Sequence, residues 1–200
     1  RKVILVEGPA ELFIIPPLVK KVMGIDLERF GVSIVPIYGV HFDVYAKLFN
    51  NRALPKKCAI ITDGDLKPSD SEVGEDEEDS YPEPPDLESL KSDYVGVFRC
   101  KTTFERALTM KGSLQCLSAA AQECGASKVA KKLKEGHAAL ISDDIKDEQK
   151  EELIAELRNT VLSTAKRIGK ARFAQIVSKH IDKAETIPKY IKDAINWLEL

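Results

Sequence analysis

The sequence predicts an α/β fold, a mostly parallel sheet flanked by helices with an additional helical segment, on three observations. Short apolar runs alternate with helix-length segments through the first hundred residues. Those runs are continuous and largely β-branched, the signature of strands buried on both faces. Beyond Thr103 the pattern is helical to the end of the chain.

Taken in order, Val3-Ile4-Leu5-Val6 is the first strand, and Gly8-Pro9 turns the chain into an apolar helix over 10–23 that stops at Gly24. Pro16-Pro17 inside that helix predicts a kink or an early break, because proline lacks the N–H and clashes with the preceding turn. Residues 32–37 form the second strand and 42–49 a helix. Residues 58–61 form the third strand, which delivers Thr62-Asp63-Gly64-Asp65, and 94–98 form the fourth. Helices are expected over 104–110, 114–123, 127–134, 147–168, 172–181 and 187–198. In the long helix, Glu148, Glu151 and Glu152 at the start and Lys166 and Arg167 at the end complement the macrodipole. The domain reading is a catalytic core over 1–110, a helical insertion or subdomain over 111–165, and helices returning to the core over 166–200.

Between the third and fourth strands, residues 69–92 are acidic and proline-containing. Their central run Glu75-Asp76-Glu77-Glu78-Asp79 repels itself, which predicts a solvated loop rather than a calcium site. The chain has 44% hydrophobic and 31% charged residues, which excludes global disorder, and its net charge of -2 does not advertise nucleic-acid binding. No apolar run approaches the roughly 18 residues of a membrane span. Four cysteines without C-x-x-C spacing argue against zinc or disulfides and for reduced thiols in a cytoplasmic setting. The opening Arg1-Lys2 leads straight into a strand, so a piece of a longer protein is expected.

The chemistry lies in the carboxylates. Ligands of an open parallel sheet bind outside the carboxyl ends of its strands. Glu7 follows the first strand, Asp63 and Asp65 follow the third, and Glu11 lies one turn into the first helix. Asp63 and Asp65, one residue apart, project to the same side in extended backbone. Any one of these is compatible with a cap or a turn; Asp65 could simply begin a turn with Gly64. Four at one edge need compensation, and oxygen donors alone select a hard divalent cation, magnesium, manganese or calcium.

Leu5-Val6-Glu7-Gly8-Pro9-Ala10-Glu11, followed by Ile60-Ile61-Thr62-Asp63-Gly64-Asp65, resembles the Toprim signature, an E-G-x-x-E turn after the first strand and a D-x-D after the third. Within that group the chain is most similar to the OLD (overcoming lysogenisation defect) nucleases. The likeness extends through Gly31-Val32-Ser33-Ile34-Val35-Pro36, Lys101-Thr102-Thr103-Phe104-Glu105 and Gly169-Lys170-Ala171-Arg172-Phe173-Ala174. It implies the Toprim-like fold of the C-terminal domain of such an endonuclease, cleaving DNA with two divalent ions, Mg2+ or Mn2+, with Ca2+ able to occupy the site. It also implies an ABC-type ATPase domain ahead of this chain, through which dimerisation would run. No G-x-x-x-x-G-K-[ST] loop occurs here, so no ATP site is expected in this part.

On this reading Glu7, Glu11, Asp63 and Asp65 are metal ligands, with Asp63 bridging two ions and Glu105 completing the coordination of the second ion. Glu7 also moves protons. Thr62 and Thr103 add hydroxyl contacts. Lys170 matches the catalytic lysine of the G-K-x-R-F-A stretch, although a charged helix end explains it equally well from the residues alone, and Arg172 contacts a neighbouring phosphate or a carboxylate. Two other readings stay open: a small-molecule phosphohydrolase, which the E-G-x-x-E preceding the D-x-D disfavours, and a non-catalytic Toprim module of a larger ATPase. His41, His137 and His180 are scattered and read as surface or structural. Trp197, Ile191, Ile195 and Leu198 form an apolar helix face. Lys128, Lys131, Lys132 and Lys134 form a basic face open to solvent or to DNA backbone.

Overall fold

A computed structural model describes residues 1–64, 86–142 and 145–200. The acidic run at 75–79, Asp65, and most of the acidic segment therefore lie outside the described residues. Four parallel strands, β1 (Lys2–Val6), β2 (Val32–Pro36), β3 (Cys58–Thr62) and β4 (Val95–Arg99), form a sheet in the order β2-β1-β3-β4. The helices are α1 (Pro9–Met23), α2 (Phe42–Ala46), α3 (Phe104–Leu108), α4 (Leu114–Glu123), α5 (Ser127–Ile141), α6 (Asp147–Ile168), α7 (Lys170–Lys179) and α8 (Lys189–Trp197).

The two-residue period of the strands sorts their side chains into two cores. Ile4, Val6, Ala59 and Ile61 face the larger one, with α1, α7, α8 and the helices of 111–165; Leu5, Cys58, Ile60, Val95 and Val97 face a smaller one with Phe42, Ala46, Phe49 and Leu87. Residues from all three predicted segments, such as Ile15, Leu133 and Ile191, thus share a single core.

The strand order places the site. The chain leaves β1 toward β2 on one side, and β3 then returns to the other side of β1. The connections after β1 and β3 diverge, opening a crevice at their carboxyl ends, where doubly wound sheets bind ligands. Val6 pairs with Ile61, so the next residues, Glu7 and Thr62-Asp63, emerge side by side.

Two expectations about helices differ from the structure. α1 runs unbroken through Pro16 and Pro17, because Ile14, Ile15, Leu18 and Val19 bury its apolar face on both sides of the prolines and offset the missing donors. α5 continues past Lys134 to Ile141 because Gly136 does not end it. A Cβ there would meet Leu157 Cδ1 at 2.6 Å, so the glycine lets α5 approach α6 closely. Trp197 packs as expected, its ring centroid 6.0 Å from that of Phe98, over the space that Gly96 leaves clear.

Candidate active site

Glu7 is fixed by the strand beside it. Its Oε1 accepts from the Thr62 hydroxyl at 2.5 Å and from the Asp63 backbone N–H at 2.8 Å. Thr62 therefore acts as a buried support for Glu7. Gly8 caps α1 in extended conformation, which puts Glu11 at the third helical position. The Glu11 carboxyl is buried, and burial together with the charges of Glu7 and Glu105 pushes its pKa up to about 7, against the pull of the Glu11 and Gly8 backbone N–H groups.

Asp63 is the most perturbed of the carboxylates. Burial, then Glu7, Glu11 and Glu105 around it, raise its pKa to about 8, while Lys170 pulls the other way. The Cys100 thiol, at the end of β4, lies behind it with Sγ 3.6 Å from Asp63 Oδ1 and 3.2 Å from the Thr102 carbonyl. Burial and the Asp63 charge push that thiol up to about 12. The Tyr190 hydroxyl, buried against Cys100, is likewise held well above its ordinary value, first by burial.

Gly64 explains the spacing of the two aspartates. Its N–H donates to the Thr102 carbonyl at 2.8 Å, and a Cβ would lie 2.2 Å from the Cys100 carbonyl oxygen. The backbone after β3 is pressed against the backbone after β4, and no side chain fits between them. Gly64→Ala is expected to lower stability by about 2 kcal/mol or more, read as a lower urea midpoint; an unchanged midpoint would show that the two segments part easily.

Glu105 and Lys170 meet in the crevice from α3 and α7. Glu105, in the first turn of α3, is buried, and its Oε2 accepts no hydrogen bond although Lys170 Nζ lies 3.2 Å away. Thr103 caps that helix, accepting from the Arg106 N–H at 3.5 Å. Gly169, with a φ of +99°, separates α6 from α7, so Lys170 opens α7, where it lines the cleft. Burial works against its charge, but Glu105, Asp63 and Glu11 outweigh it and hold its pKa above that of an ordinary lysine.

Glu7, Glu11, Asp63, Glu105 and Lys170 thus line one cleft of about 210 Å³. Thr62 and Thr103 support it as hydrogen-bonding residues, and Asp65 lies outside the described residues. Arg172 is exposed on α7, and its charge acts on the Cys124 thiol. The histidines have local roles: His180 Nε2 lies 2.8 Å from Glu123 Oε2, His137 3.5 Å from Gln115, and His41 precedes α2. Cys100, Tyr190 and Gly64 add to the site residues named from the sequence. Cys100 ends the fourth strand at the same edge as the carboxylates, a signal that was readable; nothing in the sequence marks Tyr190.

The donor set suits a hard divalent cation: four carboxylates, two of them with pKa values raised by burial and by one another's charge, and a buried carboxylate oxygen without a hydrogen bond. As they stand, no three His, Cys, Asp or Glu side chains among the described residues are grouped tightly enough to hold an ion. Lys170 supplies the nearest positive charge instead.

Residues 1–65 match the sequence model described as "Overcoming lysogenization defect protein-like, TOPRIM domain". Among solved structures, the C-terminal region of the Burkholderia pseudomallei OLD protein matches with a TM-score of 0.63 and 25% identity, over 100% of this chain and 96% of that one. The C-terminal region of the Xanthomonas campestris pv. campestris OLD protein matches with a TM-score of 0.59 and 24% identity, over 99% and 91%. No curated protein matches the sequence. No described helix is long and apolar enough to cross a membrane. The sequence match over residues 1–65 and the fold shared along the whole chain agree: residues 1–65 are similar to an OLD-like Toprim domain, and the chain has the architecture of an OLD C-terminal region.

Proposed function

We propose that this chain is the catalytic part of a divalent-metal-dependent DNA endonuclease, acting in the cytoplasm alongside an ABC-type ATPase domain of the same protein. The observation that carries the reading is the convergence of Glu7, Glu11, Asp63, Glu105 and Lys170 on one cleft at the switch point. Glu7, Glu11, Asp63, Asp65 and Glu105 would hold the ions, Mg2+ or Mn2+, with Asp63 shared between them. Bound divalent cations would neutralise phosphate charge and activate water for hydrolysis.

The protein's own groups do the rest. Thr62 and the Asp63 N–H hold Glu7 in one orientation, leaving it placed to take or give a proton. Lys170, in the same cleft, would bring a positive charge to the non-bridging phosphate oxygens, where charge grows in the transition state. The low-dielectric surroundings that raise the Asp63 and Glu11 pKa values also strengthen that interaction.

Supercoiled plasmid incubated with the chain and Mg2+, Mn2+ or a chelator tests this reading. Nicking with either ion and none with chelator is expected. Hydrolysis of small phosphate esters with intact plasmid would replace the reading by a phosphohydrolase, and inactivity on both would replace it by a non-catalytic module.

A further inference from the structure

Among the described residues nine large apolar side chains are exposed, and eight of them fall between Phe30 and Leu54, around β2, α2 and the turns beside them. Scattered singly, such residues need no explanation, but a concentration in one segment marks an interaction surface. Local packing explains how it forms. Phe42 and Ala46 bury one side of α2 in the smaller core, which leaves Val44 and Tyr45 outside at 61% and 40% exposure.

The most exposed of the set is Tyr38, at 76%. Its φ of +56° lies in the left-handed region, which a bulky residue adopts only where its surroundings impose it. Here they are hydrogen bonds on either side. The Ile37 N–H donates to the Val6 carbonyl at 2.9 Å, and the Gly39 N–H donates to the Glu7 carbonyl at 3.2 Å. Both acceptors belong to the end of β1 that carries the Glu7 carboxylate, and Gly39 itself lines the carboxylate cleft. The backbone therefore pins an aromatic residue at the rim of the cleft. Burial does not account for it, since most of the residue stays in solvent.

An exposed, pinned aromatic residue continuous with a cleft for a phosphodiester suits a nucleobase. Every base has a π face, and stacking on it requires no particular sequence. In a paired duplex those faces are covered by the neighbouring base pairs, so the base that stacks here is an unpaired one. We infer that Tyr38 stacks on an unpaired base of the DNA strand whose phosphodiester enters the cleft, with Val40, between Tyr38 and α2, continuing the apolar surface. The inference rests on the nuclease reading and narrows its substrate to DNA with unpaired nucleotides beside the cut. A second copy of the chain seated on Tyr38 would crowd the mouth of the cleft that Gly39 lines, which favours the DNA strand as the occupant.

The test uses the full chain and fluorescein-labelled oligonucleotides of one sequence, single-stranded and as a duplex, with anisotropy read in EDTA between about 50 and 200 mM salt. Tyr38→Gly and Tyr38→Asn remove the ring with residues that accept the left-handed backbone, and Tyr38→Trp keeps an aromatic face. Phe30→Ser, at an exposed position before β2 and at the opposite end of the sheet from the cleft, is the control. The two ring-free variants are expected to weaken single-strand binding about tenfold. That ratio should hold at every salt concentration, because stacking releases no counterions. Their thermal midpoints should stay at or above the parent's, since strain is relieved and little packing is lost. Tyr38→Trp and Phe30→Ser should bind as the parent does, and duplex affinity should change little in any variant. With Mg2+, the parent should cut a duplex carrying an unpaired bulge faster than a fully paired one, and Tyr38→Gly should erase the difference.

Parent-like single-strand binding by both ring-free variants, with bulged and paired duplexes cut alike, would overturn the stacking role and leave the nuclease reading standing. An equal loss in Phe30→Ser would reduce the effect to general surface apolarity and overturn it too. Lowered thermal midpoints in both ring-free variants would make Tyr38 a structural residue instead. A parent that sediments as a dimer, with Tyr38→Gly a monomer, would give the face to a second copy. A parent that neither binds nor cuts DNA would remove both readings together.

Discussion

Asp63→Ala is expected to abolish metal-dependent plasmid cleavage and to weaken divalent binding measured by calorimetry. Asp63 is buried among the other carboxylates, and on the proposed reading it is the ligand shared by two ions. Lost activity with unchanged metal affinity would assign it another role. The same crowding has a consequence for the metal-free protein. Asp63 and Glu11 hold their protons more tightly folded than unfolded, with pKa values raised to about 8 and about 7 from 3.8 and 4.5. Their contribution to stability is full below pH 4 and is lost as the pH rises through 7 and 8. Burial is the largest cause for Asp63; Glu7, Glu11 and Glu105 raise its pKa further, Lys170 lowers it, and Cys100 and Tyr190 lie behind it. Each pKa unit corresponds to about 1.4 kcal/mol, so a visible part of the stability is at stake. In EDTA, the thermal midpoint should fall from pH 4 to pH 8. Asp63→Asn should flatten that fall, and Mg2+ should raise the parent's midpoint at pH 8. A pH profile in Asp63→Asn as steep as the parent's would show that the cleft carboxylates are not the cause.

Much of this site is legible in the sequence because it is built on strand ends. Continuous apolar runs identify buried parallel strands, and the residue after each run then falls at the carboxyl edge of the sheet, which is why Glu7 and Asp63 could be placed together. Glu11 follows from helical spacing. What spacing does not reveal is the second layer. Thr62 supports Glu7, Thr103 caps α3 and Cys100 lies behind Asp63, and each role is set by a contact across the sheet or between loops. Tyr190 reaches the site only because α8 packs back on the sheet, a tertiary event with no local signal. The glycines divide likewise. Gly8 and Gly24 mark turns readable from pattern, whereas Gly64 and Gly136 are small because something distant lies against them. The unbroken α1 shows burial overriding a local rule, since its apolar face outweighs two prolines.

Lys170→Ala is expected to separate metal binding from chemistry. An ammonium group ligates no cation, and here it lies 3.2 Å from a carboxylate proposed as a ligand. Removing it leaves Glu105 Oε2 buried without its counter-charge, an arrangement that favours a metal ion in its place. Calorimetric affinity for Mg2+ or Mn2+ should therefore be unchanged or tighter. Cleavage at saturating metal and DNA should nevertheless fall by roughly a hundredfold or more, the scale of losing one charge-stabilising donor from a transition state. Lys170→Arg keeps the charge but presents a wider, planar group from the same turn after Gly169, so recovery should be partial. Lys128→Ala, on the exposed face of α5, should leave the chemical step alone and at most weaken DNA binding in a salt-dependent way. Two results would count against the assignment. Parent-rate cleavage by Lys170→Ala would make the lysine a helix-end charge whose pairing with Glu105 is only structural. Metal affinity falling together with activity would mean that the ion pair holds the cleft in shape, and the loss of rate would then report misplaced ligands rather than missing charge.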